Sequence, residues 1–241
     1  MGLRDDGIVT PYAAMHRGGD RSQPFITWYE DTHGHRVELS LATLLNGVAK
    51  CSGLLRDEHD IQPGDTVALH LPMHWQRAVW LGACWSVRAI AAPDYTGKAQ
   101  LAIVGQGAPS SEFALDVLEV DLSPLALPGR NHPDIFAPIS TPGLADPAML
   151  LADGTVLDAG EVMSVAQVLA DAWRLGQGGR LMAVDPVPDA HTGLGTAAGW
   201  LAALAVPLVV NGSVVIVADE DLALRASRAE IERVSAVSKE P

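Results

Sequence analysis

The stretch from residue 39 to residue 72 constrains the fold of this chain more than any other part of its sequence. Ser40 precedes apolar residues that recur three and four positions apart, which predicts a capped helix with one apolar face over residues 40–56. The triplet Pro63-Gly64-Asp65 supplies a fixed φ and then a permissive one, and it turns the chain into an apolar strand, residues 66–71. Helix, turn and buried strand in this order indicate an α/β protein.

The remainder of the chain continues the same alternation. The pattern predicts a β-hairpin at 25–29 and 36–39, helices at 75–87, 159–173, 196–206 and 222–237, and strands at 89–93, 101–104, 148–152, 180–184 and 213–217. Residues 113–120 fit a helix or a strand equally well. Strands that alternate with helices of this length predict layered, mainly parallel sheets flanked by helices.

A proline-rich segment at residues 123–147 has no helical period and is the one candidate boundary between subdomains. It separates a first α/β subdomain, 24–122, from a second, 148–241, within what we expect to be one compact domain. The polar, glycine-containing residues 1–23 are expected to be flexible or loosely packed.

Composition and charge exclude several classes of function. Hydrophobic residues make up 48% of the chain and charged residues 19%, so the chain can bury a sizeable core. A formal net charge of −13 argues against nucleic-acid and anionic-membrane partners, both of which require a basic surface. No apolar run is long enough to span a bilayer, and the first residues have no secretory apolar segment. We therefore expect a cytoplasmic protein, with Cys51 and Cys84 as buried thiols.

Three short motifs, taken in order, resemble the adenylate-forming superfamily of acyl-CoA synthetases, firefly luciferase and peptide-synthetase adenylation domains. They are Pro63-Gly64-Asp65 before a strand, Asp146-Pro147-Ala148 before another, and a proline–histidine–glycine element at 186–193. The resemblance covers about residues 24–235 and corresponds to the N-terminal half of the family's large domain. It implies that the adenine-binding segment, the ribose-binding acid and the C-terminal domain with its catalytic lysine would lie beyond residue 241.

The resemblance also implies where ATP would bind. In the family, the strand after Asp-Pro-Ala leads into a Ser/Thr/Gly loop ending in Lys-Gly, whose amides and lysine hold the ATP phosphates. Asp153, Gly154 and Thr155 occupy that position here, without a serine/threonine cluster or a lysine. These three residues are the candidate, degenerate cofactor-binding site.

Carboxylates replace the lost phosphate-binding groups. Asp158 and Glu161 follow Asp153, and like charges about 4 Å apart repel by roughly 1–4 kcal/mol at effective dielectrics between 80 and 20. Acidic side chains facing a triphosphate would oppose its binding unless Mg²⁺ bridged them. The spacing also predicts a structural role, with Asp158 as the N-cap of a helix and Glu161 as its capping-box partner.

The family's substrate-pocket element maps onto His191 and Gly193, which are therefore the candidate pocket residues. The family's phenylalanine is replaced by Ala190 in this chain. The alternative is a helix N-terminus capped by Thr192 or Thr196, with His191 merely packed.

No catalytic residue and no metal site is predicted. His33 and His35, two positions apart on a predicted turn, and His70 and His74 around a strand end lack ligands at the spacing of a closed zinc site. The glycine-flanked Ser213 begins a predicted strand rather than a nucleophile elbow.

The preferred hypothesis is a non-catalytic remnant of the adenylation fold that acts as a binding or partner-regulating module without a cofactor. We expect a homodimer or docking to another protein, with a small carboxylate or acyl group as ligand. The alternative is an acyl-CoA synthetase-like, AMP-binding enzyme that activates a carboxylic acid with ATP and Mg²⁺, alone or completed by a partner chain.

Overall fold

The computed structural model of the protein describes residues 7–106, 114–126, 128–129, 133, 136–184, 194, 196–218 and 221–238. The helices within this part of the chain are α1 (Pro11–Met15), α2 (Leu41–Asp57), α3 (Gln76–Val87), α4 (Ala159–Ala172), α5 (Ala197–Ala203), α6 (Ala205–Val209) and α7 (Arg225–Ile231). The strands are β1 (Pro24–Glu30), β2 (His35–Ser40), β3 (Thr66–His70), β4 (Ile90–Pro93), β5 (Ala99–Gly105), β6 (Ala114–Val120), β7 (Pro147–Leu150), β8 (Val156–Asp158), β9 (Arg180–Val184), β10 (Ser213–Ala218) and β11 (Ala236–Val237).

The strands form two sheets with the orders β11-β9-β10-β1-β2 and β6-β5-β3-β4-β7-β8. All neighbouring strands run parallel except β2 beside β1 and β8 beside β7, which close hairpins at one edge of each sheet. The predicted α/β class, with mainly parallel sheets and flanking helices, is confirmed.

The sheets are not divided at the proline-rich connection. Strand β1 pairs in parallel with β10, with Ile26 opposite Val214, so the N-terminal hairpin shares a sheet with the last strands. Strands β7 and β8, which follow the connection, join the sheet built by β3–β6. Each sheet thus draws strands from both sides of the connection, and the division into two subdomains stays a prediction.

The core lies between the two sheets. Helices α2, α5 and α6 contact the first sheet, α3 and α4 contact the second, and the helices pack against each other. Residues from both sheets and from these helices form one continuous apolar cluster, in which Trp80 and Trp200 are fully buried. Met15 on α1 is also fully buried, although it lies in the segment expected to pack loosely.

Local sequence signals explain the start of α2. The Ser40 hydroxyl accepts a hydrogen bond from the Thr43 amide at 3.2 Å, as the capping pattern predicts.

Cys51 on this helix and Cys84 on α3 are both buried free thiols, as expected. Burial raises the pKa of Cys84 to about 12, because a thiolate would lose its hydration in the core.

Two predicted helices differ from the structure. The helix predicted at 196–206 is interrupted at Leu204, whose φ is −141°. Pro207 explains the break, because it lacks the amide that would bond to the Ala203 carbonyl and its ring crowds that carbonyl. The helix predicted at 222–237 ends after Ile231, where Arg233 takes a φ of 51° and the Val234 amide bonds back to Ala229 at 2.8 Å. This is a Schellman-type ending.

Among the residues that the structure describes, no helix combines the length and the apolar composition that crossing a membrane requires.

Candidate functional site

The segment predicted to occupy the position of the family's phosphate loop is a short hairpin turn between β7 and β8. The Leu151 amide donates to the Thr155 carbonyl at 2.8 Å, and the Gly154 amide donates to the Leu151 carbonyl at 3.0 Å. Gly154 has a φ of 88°, which a residue without Cβ adopts at little cost. The turn is therefore closed by its own backbone hydrogen bonds.

The remaining groups of this turn also bond to each other. Asp153 Oδ1 accepts from the Thr155 amide at 2.9 Å, and this hydrogen bond lowers the pKa of Asp153. Asp153, Gly154 and Thr155 all lie exposed at the tip. The structure thus brings the three predicted cofactor-binding residues together, with the Gly154 and Thr155 amides already engaged within the turn.

Helix α4 begins directly after β8, and its first amides are also satisfied. Asp158 and Glu161 form the predicted capping box, with the Glu161 amide 2.7 Å from Asp158 Oδ1. The Ala159 amide donates to the Asp146 carbonyl and the Gly160 amide to the Leu144 carbonyl, each at 2.9 Å. A helix N-terminus attracts anions through its free amides, and here three of those groups have protein partners.

The predicted pocket residues His191 and Gly193 lie outside the described residues. Their segment connects the carboxyl end of β9 to α5. Ligands of open parallel sheets bind beside the carboxyl ends of strands, where crossover connections leave crevices. The described residues that border this connection therefore define the surroundings of the candidate site.

A cluster of aromatic and basic side chains lies between the two sheets near the carboxyl end of β3. The rings of Trp28 and His74 meet edge to face, with centroids 4.6 Å apart. Trp28 Nε1 donates to the Met73 carbonyl at 3.0 Å, and the Arg77 guanidinium lies 4.8 Å from the ring centroid of Trp200. Trp200 is on α5, the helix that follows the segment carrying His191 along the chain. We call these five residues the junction cluster.

His74 is held neutral by burial. It is 2% exposed, and burial followed by the nearby charge of Arg77 lowers its pKa to about 4. Its Nδ1 accepts a hydrogen bond from the Gln76 amide at 3.2 Å, which assigns the proton of the neutral ring to Nε2.

Arg77 is fixed by its neighbours. Its Nε and Nη2 donate to the Leu71 carbonyl at 3.0 and 2.8 Å, and its Nη1 lies 3.3 Å from Met73 Sδ. The side chain is held against the Trp200 face, where the cation is attracted to the ring.

The junction cluster contains two buried donors without partners. Among the described residues, neither His74 Nε2 nor Trp200 Nε1 has a hydrogen-bond partner. Buried polar groups in folded proteins are rarely left unpaired, so each such group needs an explanation. Both are N–H donors, so each would be completed by an acceptor, such as a carboxylate or carbonyl oxygen.

Sequence reasoning missed this cluster. His74 was considered only as a metal ligand, and Arg77 and Trp200 carry no local motif. Helical spacing placed Trp75 and its neighbours on α3, but the meeting of α3 with α5 follows from the tertiary fold. The one local signal was Arg77, the single charged residue of the largely apolar helix α3, which indicates a buried charge with a specific role.

Comparison with known proteins identifies relatives of two kinds. No family model matches the chain. A protein of Mycobacterium tuberculosis (strain ATCC 25618 / H37Rv), described as a TIGR03089 family protein, is 32% identical over 239 residues, with 89% of this chain and 90% of that protein covered.

Solved acyl-CoA synthetases share the fold. An acyl-CoA synthetase from Brucella canis superposes with a TM-score of 0.74 at 16% identity and covers 98% of this chain. Apo MatB from Rhodopseudomonas palustris gives 0.71 at 17% identity and 95% coverage, and the N-terminal domain of FACL13 from M. tuberculosis gives 0.69 at 16% and 94%.

The matched region is only part of those structures. The chain spans 48% of the Brucella canis and MatB chains and 61% of the FACL13 domain, about half the length of the solved relatives. The resemblance in fold to the N-terminal part of an adenylate-forming enzyme is confirmed. At these identities the likeness concerns the fold alone.

Proposed function

The chain belongs to the TIGR03089 family, and we propose that it is a non-catalytic module of the adenylation fold that binds a small carboxylate or acyl ligand and pairs with a protein partner. The observation that carries this proposal is the closed turn at Asp153–Gly154–Thr155. Its amides, which would have to face phosphate oxygens, are bonded within the turn.

Electrostatics support the same conclusion. The segment from 147 to 161, which forms the turn and the start of the helix, contains the acidic residues Asp153, Asp158 and Glu161 but no lysine or arginine. Each carboxylate would repel a nearby phosphate by roughly 1–4 kcal/mol over about 4 Å. Opening the turn to free its amides would add the loss of at least two hydrogen bonds, each of which contributes about 1 kcal/mol.

The junction cluster supports binding of a carboxylate or acyl group. Its two unpaired donors, His74 Nε2 and Trp200 Nε1, call for an acceptor, and the Arg77 cation adds attraction for an anion. The surrounding tryptophan rings favour an apolar portion in the same ligand. A small acyl carboxylate combines these two features.

An exposed edge strand supports pairing with a partner. Strand β6 is the outermost strand of the second sheet. Leu115 on this strand is 82% exposed, and Val117, on the same face, is 41% exposed. An edge strand with exposed apolar side chains is a template for pairing with another chain, and we propose a second copy of this chain as the occupant.

Calorimetric titration, together with a pyrophosphate-exchange assay, tests the absence of catalysis and the binding of a carboxylate. We expect no heat from ATP or AMP with Mg²⁺, no pyrophosphate exchange, and saturable binding of a straight-chain fatty acid or of benzoate. W200F should weaken that binding because it removes one donor, whereas W173F, in a tryptophan at the end of α4, should leave it unchanged. Nucleotide binding by the purified chain would overturn the non-catalytic assignment.

The second candidate function is an ATP-dependent acid ligase, alone or completed by a partner chain. The fold match to ATP-bound MatB from R. palustris, with a TM-score of 0.69 over 95% of this chain, favours it. It predicts pyrophosphate exchange that depends on a carboxylic acid and is lost when Asp153 or Thr155 is changed. The same assay therefore decides between the two functions.

A further inference from the structure

Three potential metal ligands meet at the hairpin that joins β1 to β2. Glu30 ends β1 and His35 begins β2, and the two are direct partners in the antiparallel register. Cross-strand partners project from the same face of a sheet, so their side chains are neighbours. His33 lies in the turn between them, and its amide donates to both oxygens of the Glu30 carboxylate at 3.2 Å.

The side chains converge on one oxygen. Oε2 of Glu30 lies 2.9 Å from His33 Nδ1 and 3.3 Å from His35 Nδ1. The two imidazole rings are nearly parallel, with centroids 5.7 Å apart and an interplanar angle of 19°. One ligand atom from each of the three residues lies within 4.8 Å of the other two.

We propose that Glu30, His33 and His35 form a binding site for a divalent first-row transition ion such as Zn²⁺. Zinc binds histidine nitrogen and carboxylate oxygen at about 2.0–2.2 Å, which places tetrahedral ligands about 3.4 Å from each other. The observed separations need only small side-chain rotations to reach that geometry. A fourth position remains for water or a further ligand, because the two histidine side chains are 70% and 44% exposed.

Charge and preorganisation favour a cation at this place. The Glu30 side chain is 11% exposed and is held by the His33 amide, so one ligand is fixed before the ion arrives. Burial opposes ionisation of Glu30, but hydrogen bonds from His33 outweigh it and lower the pKa of the carboxyl group. The net charge of −13 also attracts cations to the molecule.

The ligand set selects the class of ion. Two imidazoles and one carboxylate suit zinc, nickel or copper, whereas Mg²⁺ and Ca²⁺ prefer oxygen ligands throughout. Glu30 lies three positions before His33 in the sequence, but its convergence with both histidines follows only once the strand register of the hairpin is known. This inference is independent of the proposed function.

Titration of the purified, untagged chain with Zn²⁺ at pH 7.5 tests the site. We expect one zinc ion per chain, with loss of that binding in H33A and in H35A, and marked weakening in E30Q. Mg²⁺ should produce no heat. Far-UV circular dichroism should be unchanged in both alanine variants, since the two imidazoles are largely exposed.

H16A provides the matched control, because His16 is exposed and its ring bonds to the Tyr12 carbonyl, outside the hairpin. It should bind zinc as the unaltered chain does. The proposal is overturned if the unaltered chain binds no zinc, or if a folded H33A/H35A double variant binds it with the same stoichiometry and affinity.

Discussion

Asp158 and Glu161 hold each other's backbone amides. Asp158 Oδ1 accepts from the Glu161 amide at 2.7 Å, and Glu161 Oε2 accepts from the Asp158 amide at 2.9 Å. Two of the carboxylates that stand near the family's phosphate loop therefore work as a helix cap. The capping box at the start of α4 therefore explains why acidic residues occupy these two positions, and no ligand is needed to account for them.

Removal of this cap should destabilise the protein without touching a binding site. We expect D158A to lower the free energy of unfolding by about 1 kcal/mol, as the loss of an N-cap usually does. Urea unfolding followed by circular dichroism measures the change. D171A, near the other end of α4, is the control and should leave stability equal or slightly higher, because a carboxylate there opposes the helix dipole. Equal effects of the two variants would contradict the capping role.

The Arg88–Asp146 pair should anchor the proline-rich connection. Arg88 Nε and Nη2 donate to the two Asp146 oxygens at 2.8 Å each, and this bidentate contact lowers the pKa of Asp146 although partial burial opposes it. We expect D146N to cost about 1–3 kcal/mol of unfolding free energy. The stabilisation by the ionised group is present above its ordinary pKa and is lost as the pH falls below it.

The Arg56–Asp57 pair, in which the Asp57 side chain is 49% exposed against 21% for Asp146, is the control for this prediction. D57N should change stability by less than about 0.5 kcal/mol in the same urea titration, because surface ion pairs contribute little. If D146N proved as mild as D57N, the bidentate contact would not anchor the connection.

His74 should make stability depend on pH between about 6.5 and 4. Its folded pKa of about 4 lies below the ordinary 6.5, so the unfolded chain takes up a proton that the folded chain refuses. The free energy of unfolding should therefore fall by up to about 3 kcal/mol as the pH drops through this window. Urea titrations at several pH values should show a shallower decline in H74N. H16A, in an exposed histidine, should retain the full decline.

Glu232 should be essential for the docking of the last helix. Its carboxylate, 7% exposed, accepts from the Tyr29 hydroxyl and from Arg36 through Oε1, and from Arg180 at 2.8 Å through Oε2. Arg180 is 15% exposed and loses this carboxylate, whereas Arg36 is 46% exposed and keeps its contact with Glu38, so we expect E232Q to cost about 1–3 kcal/mol. The exposed E230Q, two residues away, should be neutral in the same denaturation experiment.

The edge strand β6 should support self-association. We expect light scattering of the purified chain at micromolar concentration to give the mass of a dimer, and L115E to give that of a monomer. L222E alters another exposed leucine, near α7, and should leave the dimer intact. A monomeric unaltered chain would exclude a second copy as the partner.

Local signals predicted the elements that depend on neighbouring residues. The Ser40 cap, the hairpin before it and the capping box at the start of α4 each depend on groups within a few positions in the sequence, and each is present. Residues 113–120 could not be decided locally, because most side chains of β6 are exposed and show neither period. Pairing with β5 decides that residues 114–120 form a strand.

The candidate site was less accessible to sequence reasoning. The segment at Asp153 lacks the family's serine/threonine cluster and lysine and is followed by further carboxylates. Both features are visible in the sequence and indicated a structural turn there. The junction cluster requires that α3 and α5 pack together, a tertiary contact that leaves no spacing in the sequence. Glu30 lies only three positions before His33, but which side chains of this hairpin converge is decided by the strand register.

The parallel pairing of β1 with β10 has a consequence for how the protein is made. β1 lies between β2 and β10 in its sheet, yet β10 begins at residue 213, long after β1 ends at residue 30. Until β10 has been synthesised, the β1–β2 hairpin has one side unpaired, and nascent chains in that condition fold slowly and aggregate readily. Cells that produce this protein would therefore benefit from a chaperone that shields this hairpin until β10 has left the ribosome.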